Sequence, residues 1–388
     1  MSVIAAVQSP ARWRSHFSDF WRRTSAMVLK EFLQLRRDRV TFATMITIPL
    51  LQLVLFGYAI NTTPRDLPTA VLLQESGDVG RSILAALQNT KYFKVTQQLR
   101  DAAEFDQVLS SGKVLFALEI PSGFERALRR GDKPALLVAA DATDPVASGP
   151  AVAALSQIVD TALRNERGLP DKGQPLFEIR THQRYNPAAV TALNVVPGLL
   201  GTILTLTMLI FTALSVTREI ERGTMESLLA MPITPLEIML GKIAPYVLVG
   251  FLQATLIIAA GVMMFTVPLV GNLALLVALT TLFIATNLSF GYTFSTLAQN
   301  QLQAVQMSMM FFLPNMLLSG FIFPFLGMPK WAQIIGEFLP LTHFMRIARS
   351  IMLKGSTLSE LRYDTLALAG LMAVAMIIAV TRFRRTLD

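Results

Sequence analysis

The sequence contains no cysteine, which removes disulfides, thiol nucleophiles and thiolate metal sites from consideration. Histidine is scarce too. His16, His182 and His343 stand far apart without metal-ligand spacing, so no metal site is expected and each is read as a surface or interface residue. No Gly-x-x-x-x-Gly-Lys-Ser/Thr run occurs, so nucleotide phosphates are not cradled by that device. Neither a Gly-x-Ser-x-Gly elbow nor a His-Glu-x-x-His helix is present, and no catalytic residue is nominated. Charge is also sparse, at 15% of the residues against about 25% in an average soluble protein.

What fills the space is apolar: 53% of 388 residues. Six stretches are free of Asp, Glu, Lys, Arg and His: Thr41–Ala59, Asn194–Val216, Ile243–Phe265, Leu273–Leu297, Ala304–Phe325 and Leu366–Val380. A helix crosses a bilayer with roughly 17 to 25 residues; the sixth stretch needs Thr365 and Thr381 to reach that length. Transporters driven by ion gradients often keep a titratable side chain inside the membrane, at about 2.5–3.5 kcal/mol on insertion scales. These stretches hold none, so energy for any transport is expected from elsewhere.

The net charge of +8 is unevenly placed. Residues before Thr41 carry net +5, the tail from Thr381 carries +2, and the segment between the first two spans is balanced. Basic ends beside spans mark the cytoplasmic side. Both termini and the loop around Arg218 are therefore expected inside, with the segment between spans one and two outside. Basic clusters without a reader motif do not support nucleic-acid binding. The first 20 residues lack an apolar core run, so the first span is expected to serve as an uncleaved anchor.

Phe17, Trp21, Val28, Phe32 and Leu35 fall on one line at helical spacing, opposite Arg22, Arg23, Lys30 and Arg37. That pattern predicts an amphipathic helix lying on the lipid surface. Between Thr62 and Arg184, strand-like runs at Ala70–Leu73, Tyr92–Val95, Val114–Leu118, Leu136–Ala139 and Leu176–Ile179 alternate with helical patterns at Val79–Leu87, Ala102–Leu109, Phe124–Arg130 and Val146–Arg164. Such alternation predicts a largely parallel sheet covered by helices.

The loop after the second span is the most informative segment. Thr224–Met231 has room for about two helical turns with Met225, Leu228 and Leu229 on one side. Pro232 stops it, and Thr234-Pro235-Leu236-Glu237 is a capping box that starts the next helix. An apolar face on a loop between spans suggests a docking helix rather than a plain turn. Later, Pro329–Ile335 and Leu339–Phe344 read as re-entrant or interfacial helices on the outer face, with Trp331 at headgroup level. Inside the spans, Thr202, Thr205, Phe311, Phe312, Asn315 and Met316 form a neutral polar, aromatic and polarizable set suited to apolar or amphipathic molecules. Helix packing explains each one singly just as well.

Several pieces together resemble the membrane subunit of type 2 ABC exporters, in the subgroup with a large outside domain after span one. They are Lys30-Glu31, Arg37-Asp38, Ile120-Pro121-Ser122-Gly123-Phe124, Asn186-Pro187, Val196-Pro197-Gly198, the Glu219-to-Glu226 run with Gly223-Thr224, Pro232 and Pro235, Leu339-Pro340-Leu341-Thr342-His343, and Arg346 to Gly355. The Glu-x-Glu-x-Gly-Thr-x-Glu loop is the most specific of them.

The resemblance implies an α-helical polytopic membrane protein with six transmembrane helices and cytoplasmic termini, plus an α/β extracytoplasmic domain between helices 1 and 2. The expected division is 1–40 for the tail and elbow helix, 41–60 for helix 1, 61–190 for the outer domain and 191–388 for helices 2–6. The coupling helix lies at 218–235 and the outer helices at 327–355. It further implies a permease half in a bacterial inner membrane, paired with an identical or sister permease and driven by cytoplasmic ABC ATPase subunits. ATP and magnesium are held by those subunits and no cofactor by this chain; some members also use a periplasmic adaptor. Glu219, Glu221, Arg222, Gly223, Thr224, Met225, Glu226, Leu228, Leu229 and Pro232 map onto the ATPase-coupling segment. Trp21, Lys30, Glu31, Phe32, Arg37 and Asp38 map onto the elbow. The implied activity is export of drug-like amphiphiles. The rivals are a mechanotransmission subunit that transports nothing, an exporter of lipid or polysaccharide, and a membrane-anchored enzyme.

Overall fold

Alternation of apolar residues along short runs builds the first half of the chain. The computed structural model describes residues 66–164, 176–223 and 235–385, apart from 76, 91 and 189. The expected first span, the amphipathic helix Phe17–Leu35 and the Thr224–Met231 helix lie outside the described residues. Strands β1 (Leu67–Leu73), β2 (Phe93–Gln98), β3 (Phe116–Ile120), β4 (Ala135–Asp141) and β5 (Glu178–Arg184) form one sheet in the order β2-β1-β3-β4-β5. Helices α1 (Asp78–Asn89), α2 (Glu104–Ser110), α3 (Phe124–Arg130) and α4 (Pro145–Arg164) connect them.

Successive side chains of a strand face opposite ways, so the sheet has two cores. Leu67, Val71, Phe116 and Leu118 pack with Val79 and Ile83 of α1, Phe124 and Leu128 of α3, and Leu155 and Val159 of α4. Ala70, Leu72, Ala117 and Ala139 pack with Phe105, Val108 and Leu109 on the other face. The sheet is not wholly parallel: β1 runs parallel to β2 and β3, and β4 to β5, but β3 and β4 are antiparallel. β4 lies directly beside β3, the strand before it, and returns on it as the second arm of a hairpin whose arms are joined through α3. Left-handed Gly123 (φ 77°) and Gly131 (φ 81°) turn the chain at either end of α3.

The second half is helical. It comprises α5 (Ala192–Glu221), α6 (Pro235–Phe265), α7 (Leu273–Leu297), α8 (Gln301–Leu318), α9 (Lys330–Glu337), α10 (Pro340–Arg349) with a π turn at Ser350–Lys354, and α11 (Arg362–Arg385). Among the described residues four helical stretches are long and apolar enough to cross a membrane: Ala192–Glu221, Ile243–Phe265, Leu273–Leu297 and Arg362–Arg382. They coincide with four of the six expected spans. The described part of α6 starts at Pro235, and the cap residue Thr234 lies outside the described residues.

The expected span Ala304–Phe325 is not one helix. α8 covers 18 residues, about 27 Å of rise, and stops at Leu318. Gly320 then takes φ 82° and Phe325–Gly327 forms a separate 3-10 turn. Uncharged residues continue through the break, so composition alone hides it.

Close helix contacts have identifiable causes. A Cβ on Gly291 of α7 would meet the Leu209 carbonyl of α5 at 2.7 Å, so glycine sets that approach. Thr293 Oγ1 donates to the Ala375 carbonyl at 3.0 Å, joining α7 to α11. The Phe283 and Phe344 rings stack 4.0 Å apart, joining α7 to α10. On α6, Leu248, Leu252, Leu256 and Met263 are exposed, as are Leu366 and Ile377 on α11; in a bilayer such faces meet lipid or another apolar helix.

Every residue of α10 except Arg346 is buried. Leu339–Phe344, expected as part of re-entrant or interfacial helices, is enclosed among α5, α7, α8 and α11. His343, expected at a surface or interface, is fully buried; His182 is exposed.

Candidate functional site

α5 runs from the α/β region to the start of the loop expected to couple to an ATPase. It ends at Glu221, with Arg222 as cap and Gly223 at φ 68°. Arg218, Glu221, Arg222 and Gly223 are exposed and Glu219 is half-buried. The Glu221 carboxylate accepts two bonds from Gln301, one from the main-chain N–H at 2.6 Å and one from Nε2 at 2.5 Å. A carboxylate placed there meets the positive end of the α8 dipole. Asn300 completes the cap by accepting from the Gln303 N–H at 2.8 Å. Glu221 therefore has a partner inside the chain, and that partner ties the end of α5 to the start of α8. Thr224, Met225, Glu226, Leu228, Leu229 and Pro232 lie outside the described residues, as do the elbow residues Trp21, Lys30, Glu31, Phe32, Arg37 and Asp38.

The pathway candidates fall into two places. Thr202 and Thr205 are buried on α5, and their hydroxyls donate to the Gly198 and Gly201 carbonyls of the same helix. Phe311 on α8 stacks on Phe290 at 4.8 Å and meets Phe294 edge-on at 5.4 Å. Phe312 and Met316 are half-buried. Asn315 is fully buried, and its Oδ1 accepts the Leu341 N–H at 3.1 Å. That N–H belongs to the first turn of α10, which has no intrahelical acceptor. Within this chain Asn315 is therefore a helix cap, a role that its position in an apolar run did not reveal.

A charged cluster joins the helices to the α/β region. Lys354, at the end of the π turn, pairs with Asp141 at the end of β4. Arg349 of α10 reaches Asp144 at 3.3 Å, the Asn194 side chain of α5, and the Gly320 carbonyl at 3.0 Å. Arg346 bonds Glu337 at 2.6 Å and Asp364 at 3.3 Å. Burial by itself would lower the Arg346 pKa, but bonding to Glu337 and the charge of Asp364 outweigh it and hold the guanidinium above its ordinary value. Burial, together with nearby Asp141, pushes the Tyr185 phenol up; its ring lies 5.5 Å from Lys354 Nζ. Asp141, Asp144, Glu337, Arg349, Lys354 and Asp364 border a cavity of about 500 Å³.

The sequence marked Arg346 to Gly355 only as part of a resemblance. It contained no signal that Asp141 and Asp144, more than 200 positions earlier, would be the partners. Two shorter motifs gain local explanations. Asn186 closes a turn before α5 through bonds in both directions with Val190, at 2.8 and 3.2 Å. Gly123 supplies the left-handed entry to α3. Among the described residues no group of three or more His, Asp or Glu is placed to hold a metal.

Long apolar helices, a short helix buried among them and an α/β region locked to them define a multi-pass membrane protein with a folded α/β module. A profile of the family described as ABC-2 family transporter protein matches residues 39–381, and the chain belongs to that family. It is 31% identical over 341 residues, 87% of this chain and 90% of the relative, to "Probable multidrug ABC transporter permease YbhS" of Escherichia coli. It is 29% identical over 366 residues, 94% of this chain and 99% of the relative, to "Probable multidrug ABC transporter permease YbhR" of the same organism. It is 28% identical over 357 residues to "Inner membrane transport permease YhhJ", also of Escherichia coli, covering 87% and 93%.

Proposed function

We propose that this chain is the transmembrane permease subunit of an ATP-driven exporter that moves hydrophobic or amphipathic drug-like compounds out of the cytoplasm or inner leaflet of a bacterial inner membrane. A separate cytoplasmic ATPase holds ATP and magnesium and docks on the loop at 218–235, with Met225, Leu228 and Leu229 in an apolar groove. Glu219, Arg222 and Glu226 grip its rim, and the elbow residues brace the loop from the other side. Two such permeases, identical or sister, enclose the pathway; Thr202, Thr205, Phe311, Phe312, Asn315 and Met316 are its proposed lining. An adaptor on the α/β region belongs to the same reading.

The supporting observation is the Glu221–Gln301 bond pair. A force on the loop reaches α5 and α8 together instead of fraying one helix end. A ligand or motor shifts an equilibrium only by its differential contact with the two states, and a stiff handle preserves that difference. Gly223, at φ 68°, cannot accept proline, whose φ is fixed near about −65°.

Reconstituted vesicles containing the permease and its ATPase test the reading. Nucleotide-dependent accumulation of an amphipathic dye is expected with the wild-type chain and is expected to be lost in Gly223→Pro and Glu226→Lys at normal protein level. Retained export in both variants would refute the docking role. The ion pairs between the helices and the α/β region favour a second reading, a mechanotransmission subunit that transports nothing; nucleotide hydrolysis without dye movement, while an outer partner changes state, would select it. Export of a lipid or polysaccharide with no dye accumulation would reassign the cargo and leave the permease role intact.

A further inference from the structure

A neutral imidazole has one N–H and one bare nitrogen. At His343 both ring nitrogens face oxygen. Nε2 lies 2.9 Å from the Glu337 main-chain carbonyl, and Nδ1 lies 2.8 Å from Asp364 Oδ1. The ring is fully buried. Glu337 ends α9, whose last turn closes by bonds three residues apart, Phe338 N–H to Ile335 and Leu339 N–H to Gly336, and the next donor in that series, Pro340, has no N–H. A carbonyl and an ionised carboxylate can each only accept, so both contacts call for a ring proton where a neutral imidazole has one; with that proton on Nε2, Glu337 is satisfied. The Nδ1 nitrogen is then bare unless another proton is present, and a bare nitrogen against a carboxylate sets two lone pairs face to face inside the protein.

We propose that His343 and Asp364 form a proton-binding site, sharing one proton beyond the count of a neutral imidazole and an ionised carboxylate, and that this proton locks the start of α11 to α10. The inference is independent of what the exporter carries. The groups facing the pair are Glu337 on α9, whose carboxylate is 3.8 Å from Nε2, Arg346 on α10, and Tyr363 on α11, edge-on at 6.1 Å. The remaining neighbours packed on α10 bring uncharged residues there: Gly201 of α5, Phe283 of α7 and Asn315 of α8.

With the proton in place, the two carboxylates Glu337 and Asp364 are balanced by the Arg346 guanidinium and the His343 imidazolium. Without it the cluster carries an excess negative charge and the Nδ1–Oδ1 contact turns repulsive. The lock is therefore present at low pH and lost as pH rises. Asp364 and Glu337 side chains are 14% and 31% exposed and border the cavity, so solvent can deliver and remove the proton.

The test uses the purified full-length chain in detergent. Thermal unfolding midpoints are measured from about pH 5 to about pH 9, the range in which histidine changes charge, for wild type, Asp364→Asn and His343→Asn. The side-chain amide introduced by Asp364→Asn can donate to a bare Nδ1, so that variant needs no extra proton. The wild-type midpoint is expected to fall by several degrees with rising pH, and both variants to lose that component. Parallel profiles in wild type and Asp364→Asn would overturn the proposal. Because the chain has only three histidines, ¹⁵N-histidine NMR of the wild type alone gives a second readout. The His343 ring signals are expected to move with the midpoint, and constant ring signals through the pH range where the midpoint falls would overturn it.

Discussion

Lys354 and Asp141 pair across 213 residues of sequence, and the two side chains are only 7% and 1% exposed. Breaking a buried pair by removing one partner leaves an uncompensated charge and costs about 3–5 kcal/mol, whereas replacing both with apolar residues is often close to neutral. Lys354→Met and Asp141→Leu are each expected to lower the unfolding midpoint sharply. The double variant is expected to recover most of the loss, giving a coupling energy in a double-mutant cycle. Additive losses would show that the pair does not join the α/β region to the helices.

Glu221 organises the turn between α7 and α8 through Gln301. Glu221→Leu is expected to speed amide exchange at residues 299–303, because the first N–H groups of α8 lose their acceptor. Hydrogen exchange measured by mass spectrometry reads this directly, and unchanged exchange there would mean that Asn300 alone caps the helix.

Asn315 accepts from the Leu341 N–H inside the bundle. Leaving a buried donor unsatisfied costs about 1–3 kcal/mol, so Asn315→Leu is expected to destabilise the chain by that amount in denaturant titration. Asn315→Asp, which keeps an acceptor, tests the bond separately. If dye export falls in Asn315→Leu while stability is unchanged, the residue acts in the pathway and not as a cap.

Gly291 lets α7 approach the α5 backbone. Gly291→Ala places a methyl at 2.7 Å from the Leu209 carbonyl, closer than van der Waals contact allows. A loss of about 1–3 kcal/mol is expected, seen as a lower melting midpoint. Gly370→Ala, where nothing lies within 4 Å, serves as the control and is expected to be neutral or slightly stabilising.

Much of the architecture was legible in the residue pattern alone. The helical pattern at Phe124–Arg130 coincides with α3, and the other strand and helix patterns overlap β1 to β5, α1, α2 and α4. Periodicity reports which face of an element is covered, and that is a local property. The antiparallel β3–β4 pair was missed because strand and helix patterns alternate along the chain in the same way whichever direction the strands run. The break at Ser319–Gly320 was missed because hydropathy registers apolarity and not backbone conformation. His343 was misplaced because a lone histidine beside apolar residues gives no sign of its acceptors.

By itself the sequence determined that the chain needs lipid, along which stretches four of its long apolar helices lie, and that an α/β module lies between hydrophobic segments, because charge scarcity and residue periodicity act over a few turns of chain. Only the tertiary structure decided that Glu221 grips Gln301, that Asn315 caps α10, and that Asp141, Asp144 and Asp364 find Lys354, Arg349 and His343. Those pairings depend on which distant segments are packed together, and a buried charge is stabilised by whatever partner the fold brings within about 4 Å, a proximity that no local pattern encodes.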